Sequence, residues 1–428
     1  MGVSTHGERA SRNDVQTVLS KYRPDGGGPK LPRLVDGGSP ETFVRFAIYN
    51  HPTVEAAYYG WLAAVEKITR ERSLPDPRLT FEADISKMIM AVMPGLMMDF
   101  PGPGKLSAAA GVATAESEMK YFQFESAVLK VAYDFKKAWY DLRLLDEKIR
   151  VNRETVTLLE DLEKLAHSRN EVGKGSLQDV LRTQIEKERL VTEVANLRDS
   201  RQWFLTQFKA SLGLGARDRT PPLPRPFKRS SLSLSSGDIL DVAFAKNPRL
   251  KAMEANVRRA EAALVVARKS RIPDFSLGAM ADVKASPVMV RPLGGMTLPI
   301  WRDKIAAQIA EGRAMERSAK ARLSDEQLNL AVEVAMKSYL YRESTRLLEL
   351  LQTSLVQKAG QSLEVARSGY SSGATDFINL IDAQRTQLDF RLAEVEAAIK
   401  REIALAELSL IVMGVPPAGT PLLQRTRR

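Results

Sequence analysis

The 428-residue chain contains no cysteine and only three histidines, and these scarcities remove most of the common routes to chemistry. Without thiols there is no disulfide frame, no thiolate zinc site and no cysteine nucleophile. His6, His51 and His167 are widely spaced along the sequence, so neither a metal triad nor a catalytic base with an orienting partner is apparent. His51, beside Pro52, reads as a helix cap, and the GxG fragments at Gly102 and Gly173 lack the strand-to-helix setting of a phosphate loop. No enzyme activity, resident metal or cofactor is expected. A run of about 18 apolar residues is also missing, which excludes a transmembrane helix. The first 40 residues lack the basic-then-apolar pattern of a signal peptide. Either the protein is not exported, or its numbering begins downstream of a leader. The net charge is +11, but 63 basic and 52 acidic residues are interleaved along helical faces, so nucleic acid is not an expected partner.

What the chain does contain is a duplication. LPDPRLTFEADI (residues 74–85) lies over IPDFSLGAMADV (272–283) at an offset of 198. Pro75 falls on Pro273, Asp76 on Asp274, Leu79 on Leu277, Ala83 on Ala281 and Asp84 on Asp282. DFPGPGKLSAA (99–109) matches TLPIWRDKIAA (297–307), placing Pro101 on Pro299 and, after a one-residue slip, Lys105 on Lys304. NEVGKGSLQDVLRTQ (170–184) matches part of SGYSSGATDFINLIDAQ (368–384) at an offset of 200, with Gly173 on Gly373 and Gln184 on Gln384.

Each half opens with an amphipathic helix that stops before a Pro-Asp pair. The period then changes to two. Leu79, Phe81, Ala83 and Ile85 alternate with Thr80, Glu82, Asp84 and Ser86; Leu277, Ala279, Ala281 and Val283 alternate with Ser276, Gly278, Met280 and Asp282. Each half thus contributes one hairpin, at about 78–100 and about 275–299. A proline-free helical run follows, from about Lys105 to His167 and from about Lys304 to Ser368. About 65 residues at 1.5 Å each make a rod of roughly 100 Å. After a glycine break each half runs back, from about Ser176 to Leu212 and from about Asp376 to Val412. These returns are too short to cover the rods, so each is expected to stack end to end on the opening helix of the other half.

The expected fold class is mainly α with a transmembrane β-hairpin pair: two structural repeats, four strands and long antiparallel helices per chain. Residues 1–39 read as an N-terminal arm, 40–213 as the first repeat and 214–239 as a linker rich in Pro, Arg and Ser beside the rods' middle. Residues 240–414 are the second repeat and 415–428 a tail. Strands near ten residues with one apolar and one polar face have the pattern of an outer-membrane barrel wall. Such strands cannot leave their edges bare in lipid, and the smallest such barrels have about eight strands, so this one must be shared between chains. Met88, Met90, Met93, Met97 and Met98 crowd the first hairpin, with Met280, Met289 and Met296 in the second. Thioethers suit soft Cu(I), but these methionines read first as filler of an irregular apolar barrel face.

Residues 40–414 resemble the TolC-like outer-membrane efflux proteins, the outer membrane factors of tripartite pumps. The likeness is carried by NP opening a helix, IPDFSL entering a strand, LPIWRDK leaving the hairpin and GYSSGATDFINLIDAQ at the turn. DFPGPGKL is similar to the heavy-metal and cation efflux branch. The resemblance implies a homotrimer in which twelve strands close an outer-membrane barrel and twelve rods form a periplasmic tunnel with a closed tip. It implies a passive exit duct for drugs or metal cations in the outer membrane of a Gram-negative bacterium. Its implied partners are outer-membrane lipid, a periplasmic adaptor (membrane fusion protein) and an inner-membrane pump of the resistance-nodulation-division or ABC type. Alternatives are the outer-membrane component of a type I protein secretion system, or a long coiled-coil structural protein with sustained heptads and no strands.

By the same resemblance Tyr370 takes the place of the gate tyrosine, and Thr375 that of a basic latch found in some members. Asn379 and Asp382 stand where the first and second aspartates of the selectivity ring do, with Asp179 and Arg182 as their first-repeat counterparts. Gly173, Gly175, Gly369 and Gly373 mark the helix-turn tip where the adaptor would dock. The chain departs from the family pattern at Thr375 and Asn379. Three copies of Asp382 around an axis would still make a charge ring that binds cations and responds to pH.

Overall fold

The computed structural model describes residues 6–22, 29–85, 89–227, 232 and 235–416. The remainder of the N-terminal arm, part of the linker, Met88 and the tail from 417 onward lie outside the described residues. After helix α1 (His6–Tyr22), the first half runs α2 (Pro40–Asn50), α3 (Pro52–Arg72), β1 (Arg78–Ile85), β2 (Ile89–Phe100), α4 (Lys105–Glu171) and α5 (Leu177–Ser211). The second half repeats that order as α6 (Ser236–Lys246), α7 (Pro248–Lys269), β3 (Phe275–Asp282), β4 (Met289–Met296), α8 (Arg302–Leu350), α9 (Val356–Ser372) and α10 (Phe377–Ala406). A π-helical turn over Leu351–Leu355 joins α8 to α9, so the two form one rod, and another over Glu407–Val412 ends α10. The 67 residues of α4 make a rod of roughly 100 Å.

The composite rods are built differently from the expectation. Each return helix meets the opening helix of its own half, not of the other. The Asn50 amide donates to the carbonyls of Leu212 (2.9 Å) and Gly213 (3.2 Å) at the end of α5, while the next residue, His51, caps α3 by accepting from the Thr53 amide at 3.2 Å. In the second half Asn247 does both jobs. Its Nδ2 donates to Ile411 O (3.1 Å) and Val412 O (2.8 Å), and its Oδ1 accepts from the Arg249 and Leu250 amides. The physical reason is local. A helix end leaves carbonyls unsatisfied and a helix start leaves amides unsatisfied, and one Asn side chain serves both when the two ends abut. Gly213 and Gly414 take positive φ values of +73° and +64° beside these asparagines. A Cβ at Gly213 would also stand 2.7 Å from Asn50 O, so the chain needs glycine there twice over.

The sheet has the order β1-β2-β3-β4, antiparallel throughout. Its register puts Leu96 between Leu79 and Ala279, Phe81 beside Pro94, and Leu277 between Met98 and Gly294. This row is apolar yet exposed, Leu79 at 82% and Phe81 at 70%. The opposite row carries Arg78, Thr80, Glu82, Asp99, Ser276 and Asp282, and Arg78 pairs with Asp99 there at 2.5 Å. An apolar outer face and a polar inner one is the barrel-wall pattern. Where sheet meets rods, Asp274 Oδ1 accepts from the Gly102 amide and from Lys105 Nζ, both at 2.7 Å, tying the second repeat's strand start to the first repeat's rod start.

The main core lies midway along the rods. Phe43, Phe135 and Phe208 are fully buried, and Phe227 of the linker packs on Phe135, Trp139 and Tyr140 beside the middle of α4. The N-terminal arm supplies an unexpected element. Helix α1 buries Val15, Val18 and Tyr22 against this core, with Tyr22 edge-on to Tyr49 and Tyr58, while its buried Glu8 pairs with Arg72 at 2.7 Å. The spacing of Val15, Val18, Leu19 and Tyr22 is that of one helical face, and was the available signal.

Candidate functional site

At the end of the rods far from the sheet, two turns reverse the chain. In the first, Gly173 at φ +70° closes α4, with the Lys174 amide donating to Arg169 O at 2.8 Å. Ser176 then caps α5 through a capping box, its Oγ accepting from the Gln178 amide at 3.1 Å while Asp179 Oδ2 accepts from the Ser176 amide. In the second, Gly373 at φ +85° closes α9 and the Ala374 amide donates to Gly369 O at 2.8 Å. Both glycines supply the left-handed residue that lets a helix end with its last carbonyls satisfied.

The other two turn glycines show why the repeats differ in sequence. At the offset of 200, Gly369 and Thr375 correspond to Arg169 and Gly175. A Cβ on Gly369 would collide with Thr375 Oγ1, and one on Gly175 would lie 3.0 Å from Arg169 Cβ. Each turn has room for one side chain at this contact, and the repeats fill it from opposite sides.

Arg169 reaches across from the first turn to the second. Its guanidinium donates to Tyr370 O and, at 2.9 Å, to Lys174 O, and it lies 4.7 Å from the centre of the Tyr370 ring. Tyr370 is buried, packs edge-on against Phe377 with centroids 5.2 Å apart, and donates its hydroxyl to Asp179 Oδ2 at 3.2 Å. Asp179 is thus both Ser176's partner in the capping box of α5 and the acceptor for a residue 191 positions later. Further along, Arg385 of α10 pairs with the buried Glu186 of α5, which holds the Arg385 guanidinium above its ordinary range.

Burial, and then the charge and hydrogen bond of Asp179, push the Tyr370 phenol up to about 12. Since this lies above the ordinary value of 10.0, the bond's contribution is complete below pH 10 and is lost as the pH rises through 12. A tyrosinate titration is therefore expected to lose a component near 12 in Tyr370→Phe; an unchanged curve would mean that the phenol does not hold Asp179 in solution.

The structure brings Tyr370 and Asp179 together and leaves the other polar candidates apart from them. Asn379 and Asp382 are exposed on α10, Asp382 in the field of Arg385, and Arg182 is half-buried on α5. Thr375 packs on Gly369. The sequence did not single out Arg169, Arg385 or Glu186. The signal for Arg169 was its place four residues before Gly173, where a last-turn cation serves helix carbonyls. Among the described residues no three His, Asp or Glu side chains gather to hold a metal.

A family model for "Outer membrane efflux protein" matches residues 239–412. The chain is 21% identical over 337 residues to the cobalt-zinc-cadmium resistance protein CzcC of Cupriavidus metallidurans, covering 76% of this chain and 78% of that one. It is 23% identical over 347 residues to outer membrane protein OprJ of Pseudomonas aeruginosa, covering 77% and 67%. The crystal structure of outer membrane protein VceC from Vibrio cholerae shares the fold with a TM-score of 0.73 at 17% identity, over 88% of this chain and 96% of the other.

Proposed function

We propose that this chain is an outer-membrane efflux protein, on the family-model match and the likeness to CzcC and OprJ, and that it serves as the exit duct of a tripartite system, receiving cargo from an inner-membrane pump through a periplasmic adaptor. The observation that carries this function is the sheet. Its apolar row is exposed over all four strands while its polar row is turned inward, an arrangement that suits lipid on one side and water on the other. The strands also exclude the coiled-coil scaffold, which requires none.

Four strands with two open edges need further copies to close in lipid, and a homotrimer supplies twelve. Exposed apolar residues at helical spacing on α8 (Leu328, Val332, Met336, Tyr339) and on α5 (Leu177, Leu181, Ile185) support this, since such faces seek cover. The duct is passive and sits in the outer membrane, with the rods in the periplasm. The turns at Gly173, Gly175, Gly369 and Gly373 are the docking end for the adaptor, and the pump behind it is of the resistance-nodulation-division or ABC type. That relative is named for resistance to cobalt, zinc and cadmium, which favours metal cations over drugs as cargo here.

At the tip, Tyr370 and Asp179 hold the two hairpins of one chain together, with Arg169 across both turns. The exposed Asp382, repeated three times about the axis, is the cation-attracting ring, and Asn379 one turn earlier leaves that ring single. Thr375 leaves the basic-latch position neutral, and Arg182 keeps a cation on α5 near the ring. Replacing Asp382 with Ala in a trimer held in a planar bilayer is expected to weaken block by divalent cations about tenfold, equivalent to roughly 1.4 kcal/mol. Unchanged block would place the constriction elsewhere, and a monomer in detergent without β signal in circular dichroism would overturn the duct itself.

A further inference from the structure

The internal duplication extends to the pairing of strands. Leu79 faces Leu96 in the first hairpin and Leu277 faces Gly294 in the second, so the offset of 198 carries both strands of one hairpin onto the other. Within the chain the two repeats meet along β2 and β3, where Leu96 faces Ala279 and Met98 faces Leu277. The free edges are β1 and β4, the counterparts of β3 and β2.

When a second copy meets this edge as the repeats meet each other, the same offset fixes the register of the seam. It sets Gly294 opposite Phe81 of the partner subunit, and Met296 opposite Leu79 of the partner subunit. The sizes suit the exchange. Inside the chain the larger Leu96 faces the small Ala279, whereas across the seam the smallest residue type faces an aromatic ring. Phe81 is 70% exposed in the single chain. A Cβ on Gly294 would have one atom within 4 Å, Leu277 Cδ2 at 4.0 Å, so the strand leaves open space there. That space belongs to a groove of about 520 Å³ on the apolar face, lined chiefly by Phe100, Phe275, Leu277 and Met296. A ring laid over a cross-strand glycine covers its bare backbone. A slip of one residue would join the apolar row of one copy to the polar row of the next.

A second observation, outside the sheet, points to the same seam. Inside the chain the contact between repeats ends in an ion pair, Lys105 Nζ with Asp274 Oδ1 at 2.7 Å. The duplication places Asp274 on Asp76 and Lys105 on Lys304, in the first turns of α4 and α8. Asp76 and Lys304 are both exposed, and among the described residues neither has a hydrogen-bond or ion-pair partner. Their charges are opposite, and they stand at the same end of the two free edges.

We propose that β4 of one copy pairs with β1 of the next in this register, with Phe81 of the partner subunit filling the groove over Gly294 and Asp76 of the partner subunit paired with Lys304. The inference rests on the duct reading above, in which copies close the barrel, and it names the contacts that join them.

The chain has no cysteine, so engineered thiols report the seam without background. Facing Cβ atoms lie about 5 Å apart, near disulfide range, and diagonal ones about 7 Å, outside it. Under an added oxidant, the variant Phe81→Cys, Gly294→Cys is expected to give a covalent trimer at least about tenfold faster than Phe81→Cys, Met296→Cys, which reports a slip of two residues. Faster linking by the second variant overturns the register. No linking by either in a conducting trimer leaves the groove to lipid and also overturns it. Charge reversal tests the ion pair with the sheet untouched. Asp76→Lys alone and Lys304→Asp alone should each speed trimer dissociation in detergent about threefold, and the two together should restore the parent rate. Single reversals without effect, or a double reversal that restores nothing, overturn the pair. Bilayer conductance of the parent separates this inference from the duct: a conducting parent with the wrong linking pattern removes the seam alone, and a monomeric parent without conductance removes the duct.

Discussion

Replacing Asn247 with alanine is expected to lower stability by about 2–5 kcal/mol, an unusually large loss for removal of an amide. Asn247 is fully buried where the second return helix abuts its opening helix, and its side chain makes four bonds there. Loss of a helix cap costs about 0.5–2 kcal/mol. Leaving buried carbonyls without a donor adds about 1–3 kcal/mol. Water cannot easily replace the donor, because Val412 and Leu250 on either side are also buried. In denaturant melts the midpoint should fall with the slope unchanged. Asn50→Ala should cost less, since Asn50 is only partly buried and His51 caps α3 independently. An Asn247→Ala loss below about 0.5 kcal/mol, the range of ordinary surface changes, would show that the two helices hold their alignment without the shared cap.

The second large effect is expected at the other end of the rods. Arg169→Ala removes two charge-assisted bonds to carbonyls of different turns and the cation over the Tyr370 ring. With about 1.5–3 kcal/mol per charged bond before relaxation, the local cost should be about 2–4 kcal/mol. Because the bonds join the turns without entering the main core, the loss should stay local. Amide exchange at 172–176 and 370–376 should accelerate by roughly 30- to 700-fold, with the mid-rod amides unchanged. Arg169→Lys should restore little, since an ammonium cannot serve two carbonyls and a ring in one plane. Equal exchange in the variant and the parent would mean that Tyr370 and Asp179 hold the turns unaided.

Much of this molecule was legible in sequence because its signals are periodic or repeated. The two-residue alternation around Leu79 and Leu277 located β1 and β3, and the duplicated Pro-Asp pairs located their starts. Glycine at 173 and 373 marked both reversals, since only a left-handed residue ends these helices as observed. What escaped depends on which ends and faces meet in space. Lengths alone require that each return helix be extended by an opening helix; they do not say which one. That choice is made by Asn50 and Asn247, single side chains without periodicity. Tyr370 was found through family resemblance, but its bond to Asp179 spans 191 residues and has no local mark. The hairpin methionines, read as filler of one apolar face, are split between two: Met98 and Met296 lie with Leu277 and Phe275, and Met93, Met97, Met280 and Met289 with Asp99 and Ser276. That split became visible only with the register, because a shift of one residue would have exchanged the faces.

The even number of strands carries a consequence of its own. Since β1 through β4 alternate in direction, the two free edges of the sheet run opposite ways. When copies are set head to tail, each β4 meets a neighbouring β1 in antiparallel sense, so every seam between subunits repeats the hydrogen-bond pattern found within one. No special seam is required and no strand is left over, whatever the number of copies. The circumference of such a ring is therefore not set by the sheet, which would accept another subunit at any seam; the count must be imposed by how the rods beneath it pack.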